Sequence, residues 1–122
     1  QFGLPHKSAI GLATLPLDRF IGLRADEKTG IATTRPFRLT GSQIEINVDA
    51  RQGEIRVEVL DQDRHPMDGF SAKGCRALKN TDNLRAPITW GTKRRLADLA
   101  GKTVRLRFHL RNATLFAFQV RS

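Results

Sequence analysis

The sequence predicts an all-β chain folded as a jelly-roll-like β-sandwich of two antiparallel sheets. Three observations carry that expectation. Apolar segments of strand length recur every 8–12 residues along the chain, the spacing of sandwich folds. In residues 43–49, 54–60 and 103–111 apolar and polar side chains alternate, which is the signature of a strand with one buried face. Turn-forming residues separate these segments, and almost nothing repeats with a helical period. A partly closed barrel is the alternative packing of the same strands.

Taken in order, residues 9–15 and 19–24 are apolar-rich and bounded by residues 16–18 and 26–30, which read as turns. Residues 31–39 follow, with Pro36 requiring an edge position or a bulge. Gly41 and Ser42 lead into 43–49, where Ile44, Ile46 and Val48 oppose Glu45, Asn47 and Asp49. After a turn at 51–53, Ile55, Val57 and Val59 alternate with Glu54, Arg56 and Glu58. These two segments read as one hairpin. Residues 61–69 read as a turn and 70–84 as a longer loop, with a short strand expected at 86–90. Residues 95–100 suit one helical turn closed by Gly101. Val104, Leu106, Phe108 and Leu110 then alternate with Arg105, Arg107, His109 and Arg111. Asn112 and Ala113 turn the chain into a last strand at 114–120.

A length of 122 residues suits one domain with its own core. The expected division is a linker or tail at 1–8 and the sandwich at 9–122. Residues 1–7 carry no initiating Met and no apolar signal-peptide core, as in a processed chain or an excised fragment. No apolar run approaches the roughly 20 residues of a membrane span. Cys75 is the single cysteine, which excludes an intramolecular disulfide and a multi-cysteine zinc site.

The formal charge is +9, from 21 Lys and Arg against 12 Asp and Glu. It is unevenly spread: residues 85–122 hold nine basic side chains against Asp98 alone. Arg outnumbers Lys by 15 to 6, and its planar fork pairs with oxyanions in bidentate fashion. A polyanion partner is expected: nucleic acid, anionic lipid, or an acidic or sulfated polysaccharide. Arg105, Arg107, His109 and Arg111 share one strand face at about 6.5–7 Å intervals, a spacing suited to successive acidic groups or to an ordinary solvent face. Glu54 or Glu58 across the sheet would neutralise it. Trp90 is the one tryptophan and there is no tyrosine, a thin supply of sugar-stacking platforms. Basic residues are not interleaved with exposed aromatics, so nucleic acid ranks last among the partners.

No enzyme motif stands out. Asp61, Asp63 and His65 read as a polar turn, and no metal or cofactor is expected. Cys75 beside Arg76 has no histidine nearby in sequence, and Glu45, Asp49, Glu54 and Glu58 read as surface carboxylates. Asn112-Ala113-Thr114 matches the glycosylation sequon, a short pattern of low specificity.

Several stretches in order carry a resemblance. The first are Gly11-Leu12-Ala13-Thr14, Arg19-Phe20-Ile21-Gly22-Leu23 and Thr33-Thr34-Arg35-Pro36-Phe37. Next come Asn47-Val48-Asp49-Ala50, Gly53-Glu54-Ile55-Arg56-Val57-Glu58-Val59-Leu60-Asp61 and Gly69-Phe70-Ser71. The last are Ile88-Thr89-Trp90, Leu96-Ala97-Asp98-Leu99-Ala100-Gly101-Lys102 and residues 104–113. Together they resemble the C-terminal β-sandwich of bacterial, planctomycete-type proteins related to the five-bladed-propeller glycoside hydrolases (family 32/43-like). The resemblance implies a noncatalytic accessory domain of a secreted or periplasmic carbohydrate-active enzyme, covalently linked to its catalytic propeller. Such a domain binds carbohydrate or buttresses the propeller. The chain departs from the pattern at Arg64-His65, at Gly74 and at Lys93-Arg94-Arg95. The expected function is therefore binding of an acidic or sulfated polysaccharide through Arg94, Arg95, Arg105, Arg107, His109 and Arg111, with Trp90 stacking.

Overall fold

The computed structural model describes residues 12–15 and 20–121, so the tail expected at 1–8 and the turn at 16–18 lie outside the described residues. Five strands occupy the first half: β1 (Leu12–Leu15), β2 (Phe20–Ala25), β3 (Gly30–Thr34), β4 (Phe37–Arg38) and β5 (Gln43–Asp49). The second half adds β6 (Glu54–Asp61), β7 (Leu78–Lys79), β8 (Asp82–Pro87), β9 (Thr103–Arg111) and β10 (Ala113–Arg121). A 3₁₀ turn at Leu96–Leu99 is followed by Gly101 at φ +84°, a left-handed position that suits glycine. Among the described residues no helix is long and apolar enough to cross a membrane.

The strands form two sheets, as an all-β sandwich requires. One is ordered β1-β3-β9-β6-β7, with β4 also pairing β9, and the other β2-β10-β5-β8. Every ladder is antiparallel except β1–β3, which is parallel. The chain leaves the first sheet for β2 and then returns, so β3 re-enters in the direction of β1. A second crossing corrects the expected hairpin of 43–49 with 54–60. β5 and β6 belong to opposite sheets, and the turn between them crosses the sandwich edge. Gly53 sits in that crossing, where a Cβ would lie 1.8 Å from the Arg111 carbonyl oxygen. Asn112, at φ +46°, makes the matching crossing from β9 to β10.

Inward-facing side chains fill the space between the sheets. Ile55, Val57 and Val59 of β6 and Val104, Leu106, Phe108 and Leu110 of β9 come from one side. Ile44, Ile46 and Val48 of β5 and Leu115 and Phe118 of β10 come from the other. Phe108 and Phe118 meet across the interface at 5.5 Å between ring centres. Alternation in β5, β6 and β9 is thus the direct imprint of burying one face.

Residues 70–90 differ from the sequence reading. Part of the expected loop is strand, namely β7 and β8, and the strand expected at 86–90 ends at Pro87. The first four residues of β8 are all exposed, so its sequence has no alternation to detect. Residues 62–77 do the work of an edge strand along β6. The Val59 N–H donates to the Phe70 carbonyl, and the Val59 carbonyl accepts from the Met67 N–H. Val57 is satisfied by side chains instead: its N–H donates to Cys75 Sγ and its carbonyl accepts from Trp90 Nε1.

Candidate functional site

The seven residues singled out from the sequence fall into two places. Arg105, Arg107, His109 and Arg111 line the outer face of β9, opposite β6. Register sets their partners: Arg107 lies across from Glu58 and Arg111 across from Glu54. Glu58 is buried, with 7% of its side chain exposed. Its Oε1 accepts from Arg107 Nη1 at 3.2 Å and lies 2.7 Å from His109 Nε2. Arg105 donates to the carbonyls of Gln62 and Thr34. Most of this row is therefore engaged within the domain, and the neutralisation expected from Glu54 and Glu58 is present.

Trp90, Arg94 and Arg95 converge elsewhere, on a cleft of about 420 Å³. Phe70, Ile88 and Leu96 contribute apolar surface, and Gln43, Thr89 and Thr92 contribute polar groups. Trp90 is only 9% exposed. Its ring meets Phe70 edge-on, at 5.3 Å and 80°, and its Nε1 is committed to Val57. It forms part of the cleft wall, not the open platform that flat stacking of a sugar needs. Arg94 is held over the Phe70 ring, 5.6 Å from its centre, by a 2.7 Å hydrogen bond from Nη1 to the Asp68 carbonyl. Cation–π attraction and that bond together fix the guanidinium at the rim. Gly69, at φ +88°, leaves room beneath it: a Cβ there would lie 3.1 Å from Arg94 Cδ. Arg95 anchors the 3₁₀ turn through its backbone N–H to Asp98 Oδ2, while its side chain is 80% exposed.

Sequence reasoning missed Phe70, Gln43 and Thr92 as cleft residues. They come from three separated segments, and no spacing links them. Trp90 and the local run Lys93-Arg94-Arg95 marked the place.

The remaining candidates have structural employment. Asp61 Oδ1 accepts from the N–H groups of Asp63 and His65. The His65 N–H leads the interactions that hold its carboxyl below the ordinary range. Cys75 is buried, and burial pushes its thiol up against the smaller opposing pulls of the Val57 N–H and Arg56. The activation that a neighbouring arginine could supply is therefore outweighed. Glu45 contacts Gln119 and Arg121 on one sheet, whereas Glu54 and Glu58 lie on the other. Asn112 is half-buried and Thr114 buried. Among the described residues no three His, Cys, Asp or Glu side chains are grouped to hold a metal ion.

Comparisons with protein-family models, with curated proteins and with solved structures return no match for this chain.

Proposed function

We propose that the chain is a noncatalytic carbohydrate-binding module that holds an acidic or sulfated saccharide in the cleft of Trp90, Arg94 and Arg95. One observation carries the reading: three residues selected for saccharide chemistry meet at a single cleft. Its rim carries two guanidinium groups suited to carboxylates and sulfates. The motif order resembling the accessory sandwich of propeller glycoside hydrolases supports the same reading. On it the domain is secreted or periplasmic and covalently joined to a catalytic domain.

Affinity electrophoresis against sulfated, uronic and neutral glycans tests it. Retardation by anionic glycans that falls with salt and with Arg94→Gln or Arg95→Gln is the expected result. Retardation by neutral glycans alone would overturn it.

A buttress domain without a ligand is the second reading. The observation favouring it is Leu84, 77% exposed on edge strand β8, an apolar side chain available to a neighbouring domain. It predicts no glycan binding, together with loss of stability of the full enzyme when the domain is removed.

A further inference from the structure

The four basic residues of β9 are not equivalent. Arg105 is bound to two backbone carbonyls and Arg107 to Glu58, which breaks the row in its middle. At the Arg111 end, β6 and β9 join Thr29, Ala72 and Lys73 around a pocket of about 420 Å³. It shares no lining residue with the Trp90 cleft.

Arg56, Lys73 and Arg111 line this pocket against one carboxylate, Glu54. Glu54 Oε2 accepts from Arg56 Nε at 3.2 Å, and Oε1 lies 3.5 Å from Arg111 Nη2 and 3.8 Å from Lys79 Nζ. Arg56 Nη1 donates to the carbonyls of Cys75 and Ala72, which fixes its guanidinium in the wall. Much donor capacity is left. A guanidinium carries five N–H groups and an ammonium three. Arg111 spends one donor, on the longest of the side-chain hydrogen bonds to Glu54. Lys73 makes no ion pair among the described residues.

We infer that this pocket binds a single tetrahedral oxyanion, sulfate or phosphate, between Arg56, Lys73 and Arg111. Its three lining cations exceed its one carboxylate by two charges, and Lys73 and Arg111 keep donors that the ion pairs of the domain do not use. A regularly charged strand such as a nucleic-acid backbone fits less well, because it needs a continuous exposed row, whereas Arg105 is held by two backbone carbonyls and Arg107 is drawn down onto the buried Glu58. Glu54 preorganises the guanidinium groups but repels the ligand. Removing its charge therefore favours the anion.

The test is titration of the ¹⁵N-labelled domain with sodium sulfate and sodium phosphate at constant ionic strength, with chloride as the control. Saturable amide shifts at Thr29, Lys73 and Arg111, absent with chloride, are expected. Lys73→Gln and Arg111→Gln should each weaken binding about tenfold or more, the loss of one charge-assisted hydrogen bond. Glu54→Gln should tighten binding several-fold, a gain that a purely structural ion network does not predict. Lys73 is exposed, so its variant tests the site without disturbing the fold. A sulfated disaccharide that outcompetes free sulfate, while its unsulfated parent does not bind, identifies the source as a sulfate ester. Equal affinity for the free ion identifies an inorganic ligand. Shifts that match chloride, or variants that bind sulfate unchanged, would sink the inference. So would short oligonucleotides that bind tightly and lose affinity on Arg105→Gln but not on Lys73→Gln.

Discussion

Trp90 Nε1 donates a 2.9 Å hydrogen bond to the backbone carbonyl of Val57, a residue 33 positions earlier. It closes the open edge of β6 where β7 has already ended, and it seats the indole in the wall of the cleft. Trp90→Phe keeps an aromatic ring but leaves the Val57 carbonyl without its donor. A loss of about 1–3 kcal/mol follows, the cost of a buried unsatisfied acceptor. Urea denaturation should show a lower midpoint with an unchanged slope.

Glu58 is the buried hub of the β9 face, touching both Arg107 and His109. Glu58→Ala leaves the Arg107 guanidinium without its counter-charge and the His109 ring without its hydrogen-bond partner. We expect a loss of about 1–3 kcal/mol. Because the carboxylate is buried, the loss should persist in roughly 1 M salt, where exposed pairs are screened. Paired denaturation curves at low and high salt measure this.

Burial raises the Glu54 carboxyl, but Arg56, Lys79 and Arg111 together outweigh it and hold the group below its ordinary value of 4.5. A carboxylate depressed on folding stabilises the fold above its unfolded pKa, and the contribution is lost as pH falls through the folded value. Wild-type stability should therefore decline from about pH 4.5 downward more steeply than that of Glu54→Gln. Denaturation midpoints between about pH 2 and 6 check it. Parallel limbs would contradict the assignment.

Cys75 Sγ accepts from the Val57 N–H and lies in the core. Burial raises its pKa, so thiolate is scarce near neutral pH and access is closed. Alkylation should be slow in the native domain and should accelerate with urea in step with unfolding. Rapid native-state labelling would contradict this placement.

Gly53 approaches the Arg111 carbonyl too closely for any side chain. Gly53→Ala must displace one of the two sheet crossings, at about 2–4 kcal/mol. Thermal denaturation should register the loss, whereas Gly101→Ala meets open space and carries only left-handed backbone strain.

Local patterning made β5, β6 and β9 legible from sequence. A strand with one buried face must alternate, so Ile44, Ile46 and Val48 on one segment and Val104, Leu106, Phe108 and Leu110 on another marked both strand and inner face. The pairing of the basic β9 face with Glu54 and Glu58 was also anticipated, because like charges two residues apart favour acidic cross-strand neighbours. β7 and β8 were not legible. One is two residues long, and the other is exposed over most of its length. Nothing local distinguishes such edges from loop.

Alternation and turn residues, which act over a few positions, therefore determined the all-β class and the inward faces. Tertiary structure alone decided which strands share a sheet. It sent β5 and β6 to opposite sides and made β1 and β3 parallel. It also divided the basic residues, spending Arg105, Arg107 and His109 on carbonyls and Glu58 while leaving Arg94 and Arg95 at the rim of a cleft. Hydrogen-bond register and ion pairing link residues dozens of positions apart, so only the folded chain can assign those partners.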